Sequence, residues 1–524
     1  MNQNGITQET LDLIKSQMRD GQFYDQEIAK AFTTGLGLVF YDLEPAAKIL
    51  YPVITPLRNM LPRLPGRGGT STHWKSITAI NATRLSAGVS EGNRGGAIVT
   101  TLTDNLALYK TLGLEDYVTF EAELAAMNFD DAKARAVEGQ LRALMIAEEF
   151  AIVGGNATNA LPTTPTPTCV DVATGGALVA KASYNVYCVA LTLEGYINAT
   201  VALGIPQQVG RTNIDGTTDY YGGGAAKLSA VTLTEVGISD STGTHALACS
   251  VPAVPGAVAY AWFCGNNAGG AAACLLTAIT TINSYLYTGN ETQGTQTAAS
   301  VSATTDYSTN ALLFDGFLGI AAGGNAVASL TAGSPVAGAS GSLLMPMLTG
   351  TPGTGTPLTT DGAGGIVEID AMLKAFWDNY RLAPTHMWVS GQEVKNITNK
   401  VIGGGGVPLF RFVTDTGGTA AGRNMTAGGL VGSYLNRYTM TGGEMVKVQI
   451  HPNIPPGTIL FDHETIPYPL SNVSNVRCMR TMRDYYQIEW PIRKRQYEYG
   501  IYCNEVLQHY FPPALGILFN IANG

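Results

Sequence analysis

The most regular pattern of hydrophobic positions lies in residues 129–153. Four apolar residues recur there at helical spacing and predict one buried stripe: Val137, Leu141, Leu144 and Ile152. Asn128 is placed to cap this helix, and Gly154 and Gly155 to end it in the left-handed conformation. Gly139, in the middle, predicts a neighbour that packs closely against it. A helix of about 37 Å, at 1.5 Å per residue, favours a spine across one face of a sheet.

The C-terminal part of the chain alternates between helical and strand patterns. Residues 366–380 carry one apolar face and predict a helix, followed by a strand at 386–390 and a helix at 392–402. This order indicates a compact α/β lobe. Further on, polar and apolar residues alternate at 485–490 and 496–503, and each stretch predicts a strand.

The N-terminal part predicts two extensions rather than a core. Residues 1–60 hold two helical patterns too short to be stable alone, followed by closely spaced prolines. We predict an extended arm that lies on another surface. Residues 66–112 hold two β-like runs, at 73–80 and 97–103, separated by a glycine-rich stretch. They predict a long, exposed two-stranded loop.

Residues 169–307 differ in style from the rest of the chain. Short β-like runs recur there, separated by Gly, Asn and Pro, and few residues are charged. This spacing is typical of an antiparallel β-sandwich, and the run at 251–265 resembles a strand of fibronectin type III or immunoglobulin-like modules. We interpret the segment as a domain inserted into a host fold. The predicted fold class of the whole chain is α+β.

Composition adds that much of the surface is covered. Only 14% of the 524 residues are charged, against roughly 25% in an average soluble protein. Such a surface is expected to be buried by copies of the same chain or by partners. The alternative that composition leaves open is a β-rich protein with many small polar residues. A net charge of −9 argues against a basic nucleic-acid binder.

Cysteine usage and the absence of apolar spans indicate a chain made in the cytosol. The seven cysteines form no CxxC pair, and their number is odd, which favours free thiols in a reducing compartment. The N-terminus lacks the basic start and apolar run of a signal peptide. No run of 18 apolar residues predicts a membrane span.

Charge is unevenly distributed between the long loop and the segment after it. Residues 57–96 hold six basic residues against one acidic residue, a net of +5, whereas residues 104–131 hold seven acidic residues against one lysine, a net of −6. Opposite fields on neighbouring elements could guide the loop of one copy onto the next copy. The candidate contacts between subunits are Arg84, Arg94, Glu115, Asp116, Glu121, Glu123, Asp130 and Asp131. The alternative is two ordinary solvated faces.

No motif in the sequence predicts catalysis, a cofactor or a metal. The six histidines are isolated, and neither GxSxG nor a phosphate-binding loop is present. The glycines at 362–365 precede a helix, which favours a helix start over a phosphate cradle. A C-terminal aromatic series could stack bases, but its strand spacing favours a core or a subunit interface: Tyr485, Tyr486, Trp490, Tyr497, Tyr499 and Tyr502.

The order of these parts resembles the major capsid protein of tailed bacteriophages, the HK97-like fold. Residues 114–156 are similar to the loop exit and spine helix of that family, and FWDNYRLAPTHMWVSGQEVKNI, at 376–397, to the helix and central strand of its axial lobe. IPPGTILF, at 454–461, and residues 485–521 resemble its final strands. The resemblance covers 1–160 and 308–524.

The resemblance implies six parts. They are an N-terminal arm at 1–52, an E-loop at 53–113, a peripheral domain at 114–168 with the spine helix at 129–153, the inserted β-sandwich domain at 169–307, an axial domain at 308–450, and the returning strands of the peripheral domain at 451–524.

The resemblance also implies a structural protein rather than an enzyme. Hexamers and pentamers would form an icosahedral or prolate virion shell around double-stranded DNA, without sequence-specific contacts or a membrane. Portal, scaffolding and possibly decoration proteins would be partners, and assembly would take place in the host cytoplasm. Three alternatives remain open: an encapsulin-like nanocompartment shell, a surface adhesin with an immunoglobulin-like module, and an enzyme whose site the sequence does not reveal.

Overall fold

The structure, a computed structural model, describes residues 47–127, 129–179, 183–230, 232–235, 243–403, 431–468 and 471–524. The helical patterns predicted before residue 47, the Asn128 cap and most of the glycine run that follows residue 402 lie outside these residues. Two compact units divide the chain, one containing Phe120–Arg135 and the other containing Pro52–Thr119 and Ala136–Gly524. The sandwich segment belongs to the second unit, and its status as an inserted domain stays a prediction.

The described helices are α1 (Pro56–Met60), α2 (Phe120–Ala126), α3 (Ala132–Gly154), α4 (Leu193–Asn198), α5 (Phe317–Ala322), α6 (Val367–Tyr380) and α7 (Gly391–Gly403). Short 3-10 turns lie at Asn267–Ala273, Ala298–Ser300, Val327–Ser329 and Pro512–Ala514. Both helices predicted in the α/β lobe, α6 and α7, are present.

The described strands are, in chain order, β1 (Arg63–Pro65), β2 (Ser71–Ile80), β3 (Thr100–Leu108), β4 (Lys110–Thr119), β5 (Thr168–Val172), β6 (Ser183–Leu191), β7 (Gln208–Thr212), β8 (Thr218–Gly222), β9 (Thr232–Glu235), β10 (Ala246–Ser250), β11 (Ala259–Asn266), β12 (Leu275–Thr280), β13 (Ser284–Tyr287), β14 (Val336–Ala337), β15 (Leu343–Pro346), β16 (His386–Val389), β17 (Ser433–Asn436), β18 (Glu444–Ile450), β19 (Thr458–Asp462), β20 (Arg477–Glu489), β21 (Gln496–His509) and β22 (Leu515–Phe519). Helices and strands are thus both abundant, and the α+β class is confirmed.

Helix α3 begins at Ala132, three residues later than the pattern predicted. Its cap is Asp131, whose carboxylate accepts a hydrogen bond from the backbone N–H of Ala134 at 3.0 Å. An aspartate satisfies the first free N–H groups of a helix in this way. The predicted apolar stripe is confirmed, because Leu144 and Ile152 are buried and Val137 and Leu141 pack against the same core.

The two predictions about glycine in α3 are wrong. A side chain at Gly139 would meet no atom within 4 Å, so no neighbour packs closely there. Neither Gly154 nor Gly155 adopts the positive φ that was expected of them. A Cβ atom on Gly155 would instead lie 2.3 Å from the carbonyl oxygen of Phe314. Residue 155 is a glycine because another backbone segment crosses the helix end so closely that a side chain would not fit.

Helix α3 packs in a hydrophobic core that also contains residues from the start and from the end of the second unit. Leu144 and Ile152 pack in one cluster with Phe317 of α5 and with Met479 and Ile501 of β20 and β21. These last two strands form a four-stranded sheet in the order β1-β20-β21-β4. Strand β1 pairs in parallel with β20 across more than four hundred residues of sequence, a contact that no local pattern predicts.

A second sheet takes strands both from the predicted axial segment, 308–450, and from the predicted returning strands, 451–524. Its order among the described residues is β14-β15-β22-β19-β16-β18-β17. On one face of this sheet, Phe461 of β19 packs with Ile369 and Phe376 of α6. On the other face, Leu460 and Ile517 belong to the core that contains α3. The predicted boundary at residue 450 does not separate sheets, because β19 and β22 pair beside β16 and β15.

Within residues 168–287, the described strands form two facing antiparallel sheets, ordered β13-β10-β5 and β12-β11-β6-β9, and β7 and β8 pair separately as a two-stranded ribbon. Side chains between them make one core, which includes Trp262 and Tyr260 of β11 and Leu247 of β10. A separate cluster that includes Phe263 and Val189 covers the outer face of the four-stranded sheet. Strands buried on both faces lack polar alternation, which explains their continuous apolar sequence.

Candidate assembly surface

Strands β2 and β3 form an antiparallel ribbon whose two faces differ. In the register of the pair, Ile77 lies opposite Leu102 and His73 opposite Leu106. Among the described residues no third strand joins them. On the inner face, Trp74 makes an edge-on ring contact with Tyr510 of the body, 5.9 Å between centroids. The predicted two-stranded loop is therefore present, and one of its faces rests on the protein.

The outer face of the ribbon carries three large apolar side chains that are open to solvent. Ile77, Leu102 and Leu106 expose 64%, 62% and 56% of their surface. Alternation along a strand places these three on one face, with Lys75 and Asp104 between them as an opposed charged pair. Ile77 and Leu102, directly opposite each other, form the contiguous apolar part of this face, and such exposed apolar sets mark interaction surfaces.

The tip of the ribbon, residues 82–99, is exposed throughout. Asn81 begins the turn with a φ of 56° and its side-chain amide exchanges two hydrogen bonds with the backbone of Leu85, each of 3.0 Å. Arg84 also has a positive φ of 52°, a conformation that is uncommon outside glycine. Neither Arg84 nor Arg94 makes an ion pair with another described residue of the chain.

The acidic candidates differ in how far their own subunit already uses them. Glu115 accepts a hydrogen bond from the Tyr502 hydroxyl, and the Asp116 carboxylate accepts one from the Tyr117 N–H at 2.8 Å. Both lie on β4, with Glu115 exposed and Asp116 half-buried. Within the described chain neither pairs with Arg84 or Arg94.

In the unit that contains Phe120–Arg135, the acidic candidates serve local structure. Asp130 pairs with Arg135 at 2.9 Å, and this bond, followed by one from the Ala47 N–H, holds the pKa of Asp130 below its ordinary value. Glu123 lies 3.7 Å from Lys133, and Asp131 caps α3. Glu121 is exposed. Several carboxylates of the acidic segment thus already have partners in their own subunit. The segment would act on another subunit through its overall negative charge.

A buried cluster of charges anchors the segment that leads into the ribbon. Glu148 on α3 has no exposed side-chain surface and accepts hydrogen bonds from Arg58 Nε at 2.7 Å, from Arg63 and from the Tyr485 hydroxyl. Arg63 also reaches Glu505 on β21 at 2.7 Å. We call these five residues the anchor cluster. It ties β1 to α3 and to β20 and β21 at the base of the ribbon.

The adjacent Glu149 fixes the same segment through its backbone. Its carboxylate accepts bonds from the N–H groups of Leu57 and Arg58, at 2.9 and 2.6 Å, and from His451 Nε2 at 2.6 Å. This carboxylate explains why α1 is a helical turn and not the extended path predicted for the proline-rich segment. Pro56 occupies the first turn, where its missing N–H costs nothing.

Burial shapes the protonation of the anchor cluster. Burial, and then the neighbouring charge of Glu148, raise the pKa of Glu505 to about 7. Burial alone would lower the pKa of Arg63, but Glu148 and Glu505 outweigh it and hold that pKa above its ordinary value. The sequence offered one signal of this cluster, since Glu148 and Glu149 are adjacent in the apolar end of the helix.

Two histidines that are isolated in the sequence, His386 and His509, interact with one buried arginine, and His463 interacts with His386. Arg477 pairs with Asp462, and its Nη2 lies 3.2 Å from Glu464. Burial, and then Arg477, lower the pKa of His386 to about 4 and that of His509 to about 3. Burial also lowers the pKa of His463 to about 4. The sequence analysis missed this group, because its members lie on four different strands, β16, β19, β20 and β21, or next to them, and no local spacing relates them.

The other sequence features have structural roles in the described residues. The Asp361 carboxylate accepts hydrogen bonds from the N–H groups of Ala363 and Gly365, both at 2.7 Å, in the turn before α6. Tyr486 stacks on Tyr502 with 5.9 Å between ring centroids. No group of three acidic, histidine or cysteine side chains in this part of the chain is arranged to hold a metal. None of the described helices is long and apolar enough to span a bilayer.

Comparisons by sequence and by structure gave different results. No protein-family profile and no curated protein sequence matches the chain. The structure is similar to the capsid of cyanophage A-1(L), with 10% identity, a TM-score of 0.40, and coverage of 94% of this chain and 99% of that one. It is also similar to the capsid of Myoviridae phage XM1, with 10% identity, a TM-score of 0.36, and coverage of 91% and 94%.

A third similar structure is the holo-SrpI encapsulin complex from Synechococcus elongatus PCC 7942. The identity is 10% and the TM-score 0.34, and the match covers 91% of this chain and 93% of that one. Phage capsids and an encapsulin are the two kinds of shell that the sequence analysis named. At these TM-scores the roles of individual residues come from the geometry of this chain alone.

Proposed function

We propose that this chain is the major capsid protein of a tailed bacteriophage. Many copies assemble into hexamers and pentamers of an icosahedral or prolate shell, which encloses a double-stranded DNA genome without sequence-specific contacts. Assembly takes place in the host cytoplasm, with portal, scaffolding and decoration proteins as partners. The six-part division into arm, E-loop, peripheral, inserted and axial segments is part of this proposal.

The outer face of the ribbon is the single observation that carries the proposal. A two-stranded ribbon is marginally stable alone in water, and this one buries only its inner face on its own subunit. Its outer face presents Ile77, Leu102 and Leu106 to solvent. A neighbouring subunit that covers this face would remove the exposed apolar surface, and a closed shell supplies such a neighbour to every copy.

Charge supports the same arrangement. The tip of the ribbon places Arg84 and Arg94 in solvent, where neither pairs within the described chain. The segment that includes Glu115, Asp116, Glu121, Glu123, Asp130 and Asp131 carries the opposite sign. Complementary fields would orient the ribbon of one subunit on the acidic segment of the next and suppress wrong docking.

The first experiment asks what the purified protein forms and what it contains. We expect closed particles by electron microscopy after expression with the phage's own assembly partners, and nuclease-protected double-stranded DNA in particles recovered from infected cells. A monomer at micromolar concentration under all conditions would contradict the proposal. Particles filled with a cargo enzyme and free of DNA would support a nanocompartment of the encapsulin type instead.

A second experiment tests the ribbon directly. The double variant Ile77→Lys/Leu102→Lys places two charges on the outer face and should abolish particles while leaving the unfolding midpoint of the subunit unchanged. Leu203→Lys is the matched control, because Leu203 is 86% exposed on the sandwich segment and lies far from the ribbon in sequence. Normal particle yield from the double variant would refute the assigned role of this face.

A further inference from the structure

Four of the seven cysteines lie in the core between the two sheets of the sandwich. Cys169 is on β5 and Cys249 on β10, which are neighbours in one sheet. Cys188 is on β6 and Cys264 on β11, which belong to the facing sheet. All four contribute to the same apolar cluster. No disulfide is present among them.

Cys169 and Cys249 are placed for a covalent link by the register of their strands. The two residues lie directly opposite each other in the antiparallel ladder. Directly opposite residues in such a ladder have Cα atoms about 4.5–5.5 Å apart, and disulfides join Cα atoms roughly 4.4–6.8 Å apart. Both side chains point into the same core, since opposite residues share a face.

The other thiols in the core do not offer an equivalent partner. Cys188 lies opposite Trp262, and Cys264 lies opposite Val186, so these two cysteines are only diagonal neighbours. Diagonal neighbours are separated by about 7–8 Å. The facing sheets of a sandwich stand about 10 Å apart. The diagonal separation exceeds the range of a disulfide in an unmoved backbone, and a link between the sheets would need a closer approach than this average spacing.

The two members of the pair differ in access. Cys169 is half-buried near the sandwich surface, whereas Cys249 is fully buried. Interaction with the Cys169 thiol, and then burial, raise the pKa of the Cys249 thiol well above its ordinary value. Cys169 is therefore the thiol that a reagent in solution reaches first, and Cys249 is the one positioned behind it.

We propose that Cys169 and Cys249 are a thiol–disulfide exchange site, which closes to a disulfide when the protein meets a small-molecule disulfide such as oxidised glutathione. The Cys169 thiolate attacks one sulfur of the reagent and forms a mixed disulfide, and one glutathione thiolate leaves. The Cys249 thiol attacks the Cys169 sulfur and passes its proton to the second glutathione thiolate as that thiolate leaves. Both cysteines are oxidised, and one oxidised glutathione is reduced to two glutathione molecules.

This inference goes beyond the proposed function and is independent of it, because the pair lies within one subunit. The thiols stay reduced in a cytosol and oxidise outside a cell. The link would join β5 to β10 around β6–β9, a large loop, and closing large loops is expected to restrict the unfolded chain most strongly.

The test uses the purified full-length protein. After incubation with oxidised glutathione, remaining thiols are alkylated, and the unfolded protein is digested and mapped by mass spectrometry without reduction. We expect two of the seven thiols to be lost and one linked peptide pair, containing Cys169 and Cys249. The unfolding midpoint should rise by roughly 5 °C, and dithiothreitol should reverse the rise.

Variants separate this result from general oxidation. Cys169→Ser and Cys249→Ser should each abolish the linked peptide and the rise in midpoint, whereas Cys478→Ser should keep both. Seven intact thiols, a stable glutathione adduct on Cys169, or a link to Cys188 or Cys264 would each overturn the inference. Particle formation is followed separately by electron microscopy, so failure of the disulfide and failure of shell assembly are distinguishable.

Discussion

Single residues decide the stability of this protein where charge is buried. Glu148 has no exposed side-chain surface and receives three donors, so removing its carboxylate takes this acceptor from Arg58 and Tyr485 and leaves Arg63 with Glu505 and Asp484. Removing one partner of a buried ion pair destabilises a protein far more than replacing the whole pair by apolar side chains. The same rule applies to Arg477, which is buried and interacts with His386 and His509.

We predict that Glu148→Ala lowers the free energy of unfolding by about 3–5 kcal/mol, because Arg58 loses its buried counter-charge and Arg63 loses one of its carboxylate partners. Urea titration followed by circular dichroism measures the change. Glu138→Ala on the same helix is the matched control, since Glu138 pairs with Arg142 at the surface. That variant should cost less than about 0.5 kcal/mol, and equal losses from the two would contradict a special role for burial.

Acid should destabilise the protein through its buried histidines. Burial, and then Arg477, lower the pKa of His509 to about 3 in the folded state, whereas the unfolded chain takes up this proton near pH 6.5. The unfolded state then binds more protons, so stability falls as the pH drops from about 6.5 towards 3, by at most about 1.4 kcal/mol per pH unit.

The variant His509→Phe isolates this effect from the carboxylates, which include Glu505 with its raised pKa. Its ring keeps the volume beside Phe317 and removes the titrating group. Urea midpoints measured between pH 7 and pH 4 should fall less steeply for the variant than for the wild type. Parallel pH profiles would show that His509 does not carry the acid sensitivity.

At the scale of elements, local patterns were informative and long-range pairing was not. The stripe in α3, the apolar face of α6 and the alternation in β21 each predicted an element that is present. Nothing local indicated that β1 pairs with β20, or that Glu149 turns the proline-rich segment into α1. The first contact spans more than four hundred positions and the second about ninety, and the anchor cluster and the group around Arg477 likewise join separate helices and strands.

The two glycines of α3 give opposite predictions for one substitution. Gly139→Ala should raise the free energy of unfolding by about 0.5–1 kcal/mol, because the site is open and alanine favours the helix. Gly155→Ala should lower it, because its Cβ atom would lie 2.3 Å from the Phe314 carbonyl oxygen. Thermal unfolding of both variants measures the contrast, and changes of the same sign would contradict it.

At the scale of the whole molecule, the charge on the ribbon predicts how assembly depends on salt. The double variant Arg84→Glu/Arg94→Glu should lower particle yield, because it reverses the field that faces the acidic segment. The loss should be greatest at low ionic strength and smaller at 0.5 M salt, where screening is strong. Arg211→Glu, an exposed change of the same sign on β7, is the control. Normal yields of the double variant at low salt would rule out this steering.

The position of β22 has a consequence for how the protein is made on the ribosome. β22 lies between β15 and β19 in the seven-stranded sheet, parallel to one and antiparallel to the other. Until residues 515–519 have been translated, β15 and β19 both present open backbone edges in the nascent chain, and such edges promote aggregation. Chains interrupted before this point therefore lack a complete sheet. We expect cellular proteases to degrade them before they can be incorporated into a particle and block its assembly.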